Sequence, residues 1–134
     1  MNILLDTCSL IWCLTDDARL GVRARGLIAD SRNVVHVSSI SFFEISIKSA
    51  IGKLRLRGVD LDKLPAVVYE SGAVLIPVDP FESIALHRLP LKEGHKDPFD
   101  RMLVCQAIER SLTLVSADHS LAAYREEGLS LILG

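Results

Sequence analysis

The sequence predicts an α/β fold in which a parallel sheet is covered by helices on both faces. Five short apolar runs carry β-branched residues, and segments with helical period lie between them. Strands that are apolar almost throughout are typical of a sheet buried on both faces, and their alternation with helices indicates βαβ units. The predicted strands are NILLD (2–6), VVHVSS (34–39), AVLIPV (73–78), LTLVSA (112–117) and LSLILG (129–134).

Seven helices are predicted around these strands. In the second of them, the spacing directs Val22, Leu27 and Ile28 toward the core. Pro65 fits only the first turn of the fourth helix, and glycines end the third and the last. The predicted helices span residues 8–14, 20–31, 42–51, 61–71, 81–89, 98–111 and 121–127.

Chain length and composition indicate one globular domain over residues 1–134. Hydrophobic residues make up 49% of the chain, which is enough for an ordinary core and argues against disorder. The net charge of −2 produces no strong field, so contact with nucleic acid needs a local basic patch. No apolar run reaches the roughly 18–20 residues of a membrane span, and MNILLDT lacks the features of a signal peptide. We therefore expect a cytoplasmic protein.

The cysteines, Cys8, Cys13 and Cys105, predict no disulfide framework. Their number is odd and none belongs to a CxxC motif. We expect reduced thiols that are mostly buried. The histidines lack the spacing of zinc ligands, so the sequence predicts no zinc site.

Several acidic residues fall at one edge of the predicted sheet. In a βαβ sheet the carboxyl ends of the strands and the amino ends of the helices share one edge, where ligands bind. Asp6 ends the first strand, and Asp118 follows the fourth. Glu44 begins the helix after the second strand, and Asp97 and Asp100 begin the helix before the fourth. The topology therefore gathers acids that are far apart in the sequence.

Carboxylates crowded at one edge repel each other unless a cation lies among them. Hard oxygen ligands favour Mg²⁺ or Mn²⁺, and such an ion activates water and stabilises charge on a phosphoryl group. The pattern therefore indicates metal-dependent hydrolysis of phosphodiester bonds, without a side chain that acts as a covalent nucleophile.

Helix capping is the alternative explanation for these acids. The stretch DPFD (97–100) has an N-cap acid, a proline at the first helical position and an acid at the third. The stretch DPFE (79–82) has the same pattern, so the pattern alone does not identify a metal site. SFFE (41–44) fits a capping box, and both Asp6 and Asp118 precede a helix.

Four stretches together resemble the PIN-domain ribonucleases, and within them the VapC-like toxins of type II toxin–antitoxin systems. They are ILLDTCSLIW (3–12), SSISFFEISIKSAIGKL (38–54), HKDPFDRMLVCQAIE (95–109) and LVSADHSLAAY (114–124), in the family's order. The resemblance implies a three-layer fold with a five-stranded parallel sheet in the order 3-2-1-4-5. It also implies divalent-metal-dependent RNA cleavage, homodimerisation and inhibition by a cognate antitoxin protein.

The resemblance also implies a set of catalytic, metal-binding residues. Asp97 belongs to the HxDPFDR phrase and is a further candidate metal ligand. The implied strand order separates the two DPF phrases, because the third strand lies at the edge of the sheet while the fourth lies beside the first. Matched residue by residue, the family's acidic cluster falls on Asp6, Glu44, Asp100 and Asp118.

Other residues are candidates for supporting roles. Thr7 and Ser116 are expected to hydrogen-bond the acids, and Arg101 to pair with a carboxylate or the scissile phosphate. RNA binding needs phosphate contacts, and GKLRLRG (52–58) is the densest basic stretch, although such runs are often only solvated. Lys48 either pairs with the glutamate one turn earlier or reaches a phosphate. The candidate RNA-binding residues are Lys48, Lys53, Arg55, Arg57, His95 and Lys96.

Three other functions compete with the ribonuclease hypothesis. A response-regulator receiver with Asp79 as phosphoacceptor needs a second acid beside Asp6 and a lysine after the fifth strand, and neither is present. A haloacid-dehalogenase-type phosphatase needs a D-x-D motif where the sequence reads DTC (6–8). The third is a PIN-like module without activity that only binds a partner, and the complete set of acids argues against it.

Overall fold

The computed structural model describes residues 1–134 and contains a five-stranded parallel sheet in the order β3-β2-β1-β4-β5. This confirms the predicted fold class and the strand order implied by the resemblance. Each strand is somewhat shorter than its predicted run, because the end residues belong to turns and caps. The strands are β1 (Asn2–Leu5), β2 (Val34–Ser38), β3 (Val74–Ile76), β4 (Thr113–Ser116) and β5 (Ser130–Leu133).

β1 is the central strand and pairs with both β2 and β4. Its residue Ile3 lies opposite Val35 on one side and Thr113 on the other. The chain moves outward from β1 to β2 and β3 and then returns to β4, so the strand order reverses between β1 and β4. Receiver domains have the strand order 2-1-3-4-5, and the observed topology therefore rules out the receiver hypothesis.

Six α-helices and three 3₁₀ helices connect the strands. The fourth predicted helix begins with a 3₁₀ turn, the fifth ends with one, and the last is 3₁₀ throughout. None of the helices has the length and apolarity that crossing a membrane requires. The α-helices are α1 (Thr7–Leu14), α2 (Val22–Ala29), α3 (Ser39–Ala50), α4 (Leu64–Glu70), α5 (Pro80–Ala85) and α6 (Pro98–Glu109), and the 3₁₀ helices are Leu61–Lys63, Leu86–Arg88 and His119–Glu127.

The sheet is buried on both faces, as its apolar strands predict. Along β1, Leu4 packs into one apolar cluster, while Ile3 and Leu5 pack into the other. β4 alternates in the same way, since Leu114 joins the first cluster and Val115 the second. Residues of α6 complete the first cluster, and residues of α1, α3 and α4 complete the second. The helices thereby fix the carboxyl edge of the sheet between two packed layers.

The predicted inward face of α2 is wrong at one position. Val22 is 90% exposed, whereas Ala24 is fully buried. The helix begins at Val22 rather than two residues earlier, so its first residue lies on the solvent side. Leu27 and Ile28 pack against the second cluster as predicted.

The cysteines are free thiols, and no disulfide is formed. The prediction that most of them are buried is wrong, because Cys8 and Cys13 are exposed and only Cys105 is buried. Both exposed cysteines lie on α1, whose inward face is occupied by Leu10 and small polar residues.

A pair of glycine substitutions tests the backbone assigned to the last 3₁₀ helix. Gly128 ends that helix with a φ of 97°, a left-handed conformation that alanine adopts only with strain. We predict that Gly128→Ala lowers the free energy of unfolding by about 1–2 kcal/mol in a urea titration.

Gly26 is the matched control, because it lies exposed within α2 and an added methyl group meets no atom within 4 Å. Gly26→Ala should raise the free energy of unfolding by about 0.5–1 kcal/mol. A Gly128→Ala protein as stable as Gly26→Ala would contradict the left-handed turn.

Candidate metal centre

Asp6 lies directly after β1, where the strand order reverses. It is the N-cap of α1: its carboxylate accepts a hydrogen bond from Ser9 N at 2.8 Å, and its backbone N donates to the Val115 carbonyl at 3.1 Å. Burial raises the pKa of the Asp6 carboxyl group, and hydrogen bonds with Ser116 and Ser9 oppose that shift. Capping therefore fixes this carboxylate at the edge of the sheet.

Glu44 lies in the second turn of α3, not at its start. The N-cap of α3 is Ser38, whose hydroxyl accepts a hydrogen bond from Ile40 N at 3.1 Å. The alternative explanation, a capping box from Ser41 to Glu44, is therefore wrong, because β2 leads directly into α3 and places Ser41 inside the first turn. Capping thus does not account for the position of Glu44.

The Glu44 carboxylate is buried and only half satisfied. One oxygen pairs with Lys48 one turn later on α3, and this contact raises the pKa of Lys48. The other oxygen, Oε1, is buried and has no hydrogen-bond partner. Leaving a buried carboxylate oxygen unpaired is costly, so a cation bound beside Oε1 would stabilise it.

Asp100 is the carboxyl group whose pKa is raised by the charges of the other acids. It lies in the first turn of α6. Its pKa rises to about 7, and burial is the largest cause. The remainder comes from four neighbouring carboxylates, in decreasing order those of Asp97, Asp6, Glu44 and Asp118. All of the predicted acids therefore lie close enough to influence one group.

The two DPF motifs differ in the contacts of their last residues, Glu82 in one and Asp100 in the other. Asp79 and Glu82 form a complete capping box in α5, with N···O distances of 2.8 and 3.0 Å. Glu82 also pairs with Arg110, which lowers the pKa of its carboxyl group. In α6, Asp97 caps two backbone N–H groups at 2.8 and 3.3 Å, but Asp100 does not cap in return. The Asp100 carboxylate is therefore free of the capping interaction that occupies Glu82.

Asp118 and His95 lie against Asp100. Asp118 follows β4 and is the N-cap of the last 3₁₀ helix. His95 is buried, and its Nε2 lies 3.5 Å from Asp118 Oδ2. One possible ligand atom from each of these three residues lies within 4.8 Å of the other two. That spacing allows one ion to contact the group.

His95 is a member of this cluster although the sequence predicts a different role for it. It was expected to contact RNA, and its 4% exposure is incompatible with a surface contact. The buried ring instead contacts Asp118 and packs against Tyr124. The available signal was its place in the HxDPFDR phrase, two residues before Asp97.

Of the predicted supporting residues, Ser116 contacts an acid as expected, whereas Thr7 and Arg101 do not. Ser116 accepts a hydrogen bond from Asp118 N at 3.0 Å, and its hydroxyl lowers the pKa of Asp6. Thr7 donates its hydroxyl hydrogen to Ser41 at 3.0 Å, so the expected bond to a carboxylate is absent. Thr7 instead ties the start of α1 to α3.

The predicted role of Arg101 is wrong. Its side chain is buried and donates hydrogen bonds to the Leu89 and Pro90 carbonyls at 2.9 and 3.0 Å. A third bond reaches the Tyr124 hydroxyl at 3.1 Å. The helical rotation of α6 carries residue 101 into the core, away from the Asp100 carboxylate. Arg101 therefore anchors a loop and a ring, and does not face a phosphate.

The remaining basic candidates are mostly exposed. Leu54 and Leu56 of the loop after α3 pack inward against the second cluster, so the basic residues that alternate with them point outward. Lys48 is engaged by Glu44. The exposed basic side chains are those of Lys53, Arg55 and Arg57 in this loop and of Lys96 beside Asp97.

The donor set fits a hard divalent cation. All four acids offer carboxylate oxygens, which Mg²⁺ and Mn²⁺ prefer. A cation would also oppose the rise in the pKa of Asp100 and pair with the unpartnered Glu44 oxygen. That these residues bind an ion stays a prediction.

The sequence of the chain matches the PIN-domain profile over residues 3–127. The chain belongs to the PIN-domain family. The matched range includes Asp6, Glu44, Asp100 and Asp118, so the resemblance drawn from the four motifs is confirmed. A search among curated proteins finds no match.

Solved structures share the PIN fold across nearly the whole chain. VapBC2 from Rickettsia felis, bound to a DNA fragment from its promoter, matches with a TM-score of 0.70 and 18% identity, covering 100% of this chain and 99% of that one. FitAcB from Neisseria gonorrhoeae matches with a TM-score of 0.61 and 19% identity, covering 98% and 96%. VapBC-5 from Mycobacterium tuberculosis, a member of the VapBC family of toxin–antitoxin systems, matches with 0.58 and 16%, covering 98% and 96%.

The raised pKa of Asp100 predicts how the stability of the metal-free protein depends on pH. An acid whose pKa rises on folding binds more protons in the folded state between its ordinary pKa of 3.8 and about 7. The free energy of unfolding therefore increases as pH falls through that window, and the penalty is complete above it. We predict greater stability at about pH 5.5 than at about pH 8 in EDTA, and a smaller difference in Asp100→Asn.

Asp79→Asn is the control for this measurement, because it removes a carboxylate from the other DPF phrase and keeps an N-cap side chain. It should retain the wild-type pH dependence. Equal pH dependence in wild type and Asp100→Asn would show that Asp100 titrates normally.

Proposed function

We propose that this protein is a metal-dependent endoribonuclease that acts as the toxin of a toxin–antitoxin pair. The observation that carries the proposal is that ligand atoms of Asp100 and Asp118 lie within 4.8 Å of each other, and that the charges of Asp97, Asp6 and Glu44 also act on Asp100. Carboxylates held this close, with a buried Glu44 oxygen unpaired, favour a divalent cation. Hydrolysis of phosphodiester bonds is a reaction that such sites support.

The chain prepares the ion site through its own hydrogen bonds. Ser9 N holds the Asp6 carboxylate, and Lys48 holds one oxygen of Glu44 and leaves Oε1 available. When bound, Mg²⁺ or Mn²⁺ would supply water activation and charge stabilisation at the phosphodiester. The residues that would hold it are Asp6, Glu44, Asp100 and Asp118, with Asp97 as a further candidate.

Asp100 governs when the site accepts an ion. A carboxyl group with a pKa of about 7 is partly protonated at neutral pH, and it must lose that proton to bind a cation. The affinity for metal, and with it the cleavage rate, should therefore fall as pH decreases below about 7.

RNA contacts are proposed for the exposed basic loop after α3. Phosphate binding supplies most of the affinity of nucleic-acid contacts, and the overall charge of −2 offers no alternative field. Inward packing of Leu54 and Leu56 orders this loop and presents its basic side chains to solvent. The residues are Lys53, Arg55 and Arg57, together with Lys96 near the acids.

We also propose a homodimer and a cognate antitoxin protein, with residues 1–134 acting as one PIN domain in the cytoplasm. The similar structure from Mycobacterium tuberculosis is described as a member of a toxin–antitoxin family. On the surface of this chain, Phe81 and Ile84 of α5 are 83% and 64% exposed, and Leu91 is 71% exposed. Large exposed apolar side chains of this kind favour contact with another protein chain.

Charge removal at Asp6 tests the catalytic proposal. We predict that purified protein cleaves total RNA with Mg²⁺ or Mn²⁺ and that EDTA stops the reaction. Asp6→Asn should lower the cleavage rate by roughly a hundredfold or more, because it removes a ligand charge. Circular dichroism should show a retained fold, since asparagine also caps helices.

Two further asparagine variants complete this experiment. Asp79→Asn should cleave like wild type, because Asp79 lies outside the acidic cluster. Asp97→Asn preserves the cap of α6, so any loss of cleavage in it reports the charge of Asp97 alone. Cleavage by Asp6→Asn at the wild-type rate would refute the site, and a wild-type protein without any cleavage would favour the binding-only module.

Charge removal in the basic loop tests the RNA contacts. The triple variant Lys53→Gln, Arg55→Gln, Arg57→Gln should bind single-stranded RNA more weakly, with a salt dependence reduced by about 0.7 in log–log slope per lost contact. Arg32→Gln is the control, because Arg32 pairs with Asp30 before β2, at the opposite edge of the sheet. An unchanged salt slope in the triple variant would place the RNA elsewhere.

A further inference from the structure

Asp118 is the most exposed of the four acids, and its orientation depends on a small set of hydrogen bonds. Its side chain is 45% exposed. Oδ1 accepts from Ser120 N at 3.0 Å and from Ser120 Oγ at 2.6 Å. Oδ2 faces His95 Nε2 at 3.5 Å. Both carboxylate oxygens are therefore directed by two neighbouring residues.

The hydrogen bonds form a chain whose direction can be worked out. A carboxylate only accepts hydrogen bonds, so the single hydroxyl hydrogen of Ser120 points to Asp118. Ser120 Oγ also lies 3.1 Å from His95 Nε2, and with its own hydrogen committed it can only accept there. Nε2 of His95 must therefore carry a hydrogen and donate it.

His95 is buried, whereas Ser120 and Asp118 are exposed. Its backbone N donates to the Lys92 carbonyl at 3.0 Å. Its buried ring packs against Tyr124, with ring centroids 5.6 Å apart, and the Tyr124 hydroxyl accepts a hydrogen bond from the buried Arg101. The His95 ring thus links buried residues of the core to the exposed Asp118.

We propose that His95 is a positioning residue that, through Ser120, fixes the Asp118 carboxylate in the orientation in which Asp118 and Asp100 receive a divalent cation. This role rests on the metal-dependent function proposed above. In this hydrogen-bond pattern Nε2 donates to Ser120, so this nitrogen serves as a donor and does not offer its lone pair to a metal. It acts as the outer partner that orients an acidic ligand.

The first test is independent of metal and of activity. Long-range ¹H–¹⁵N correlation spectra of the metal-free protein distinguish which ring nitrogen of His95 carries hydrogen. We expect a hydrogen on Nε2, and a changed Nε2 resonance in Ser120→Ala. Neutral His95 with its hydrogen on Nδ1 alone would overturn the proposal.

The second test measures binding of Mn²⁺ alone. His95→Leu fills the space without a donor, and Ser120→Ala breaks the chain at its middle. Each should weaken Mn²⁺ binding by roughly ten- to a hundredfold. The double variant should be no more than about threefold weaker than either single variant, because both changes remove the same support.

Two further variants separate positioning from packing and from direct ligation. His95→Gln returns an N–H donor near the position of Nε2, and should bind Mn²⁺ within about fivefold of wild type. His119→Leu, at the exposed neighbour of Asp118, should bind Mn²⁺ like wild type. Should His95→Leu fail to fold, the glutamine variant, Ser120→Ala and the spectra still decide the matter.

Wild-type affinity in a folded His95→Leu protein would overturn the proposal, and so would fully multiplicative effects in the double variant. Loss of binding that His95→Gln does not restore would identify His95 as a direct ligand, against the proposal. A wild-type protein that binds Mn²⁺ but cleaves no RNA would refute the proposed function and leave the role of His95 standing. A wild-type protein that does not bind Mn²⁺ would refute both.

Discussion

Repulsion among partly desolvated carboxylates is the constraint on which the organisation of this protein depends. The strand order places the ends of β1 and β4 side by side, and Asp6 and Asp118 follow those ends. The helices α3 and α6 add Glu44 and Asp100 to the same edge. Burial, followed by the charges of these neighbouring carboxylates, raises the pKa of Asp100 to about 7. Repulsion among these carboxylates destabilises the metal-free protein, and a bound cation would relieve it.

Helix capping and the acidic site are built from the same residues. Asp6, Asp97 and Asp118 are the N-caps of α1, α6 and the last 3₁₀ helix. Their bonds to backbone N–H groups, and the positive ends of the helices, partly offset the repulsion. The DPFE motif at residues 79–82 has only the capping role. There, Asp79 and Glu82 form a capping box, and Glu82 also forms an ion pair with Arg110, so both carboxylates have partners.

The apolar pattern and the βαβ topology predicted the fold. For the site, they predicted the edge of the sheet at which the acids lie, but not the role of each acid. Short runs that are apolar almost throughout located every strand, because the sheet is buried on both faces, and period-3.6 patterns located the helices. The edge on which the acids meet follows from parallel strands alone. Which acid also caps could not be read, because DPFD and DPFE encode the same local start and differ only in their long-range partners.

Two of the errors share a cause, which is rotation about a helix axis. A start of α3 at Ser39 rather than Phe42 turned Ser41 from an expected cap into an interior residue. Rotation of α6 carried Arg101 into the core next to Tyr124, although its sequence neighbour Asp100 faces the site. His95 lies before α6, and its burial comes instead from packing against the ring of Tyr124. One residue of offset changes the face, and sequence boundaries are not that accurate.

Proton release on metal binding is the most direct test of the central claim, that the gathered acids form one divalent-cation site. Calorimetric titration of Mn²⁺ at about pH 7, in buffers of different ionisation enthalpy, counts the protons displaced per ion. A group with a pKa of about 7 should release about half a proton per ion in wild type, and Asp100→Asn should release almost none. Binding without proton release, or equal release from both proteins, would contradict the account.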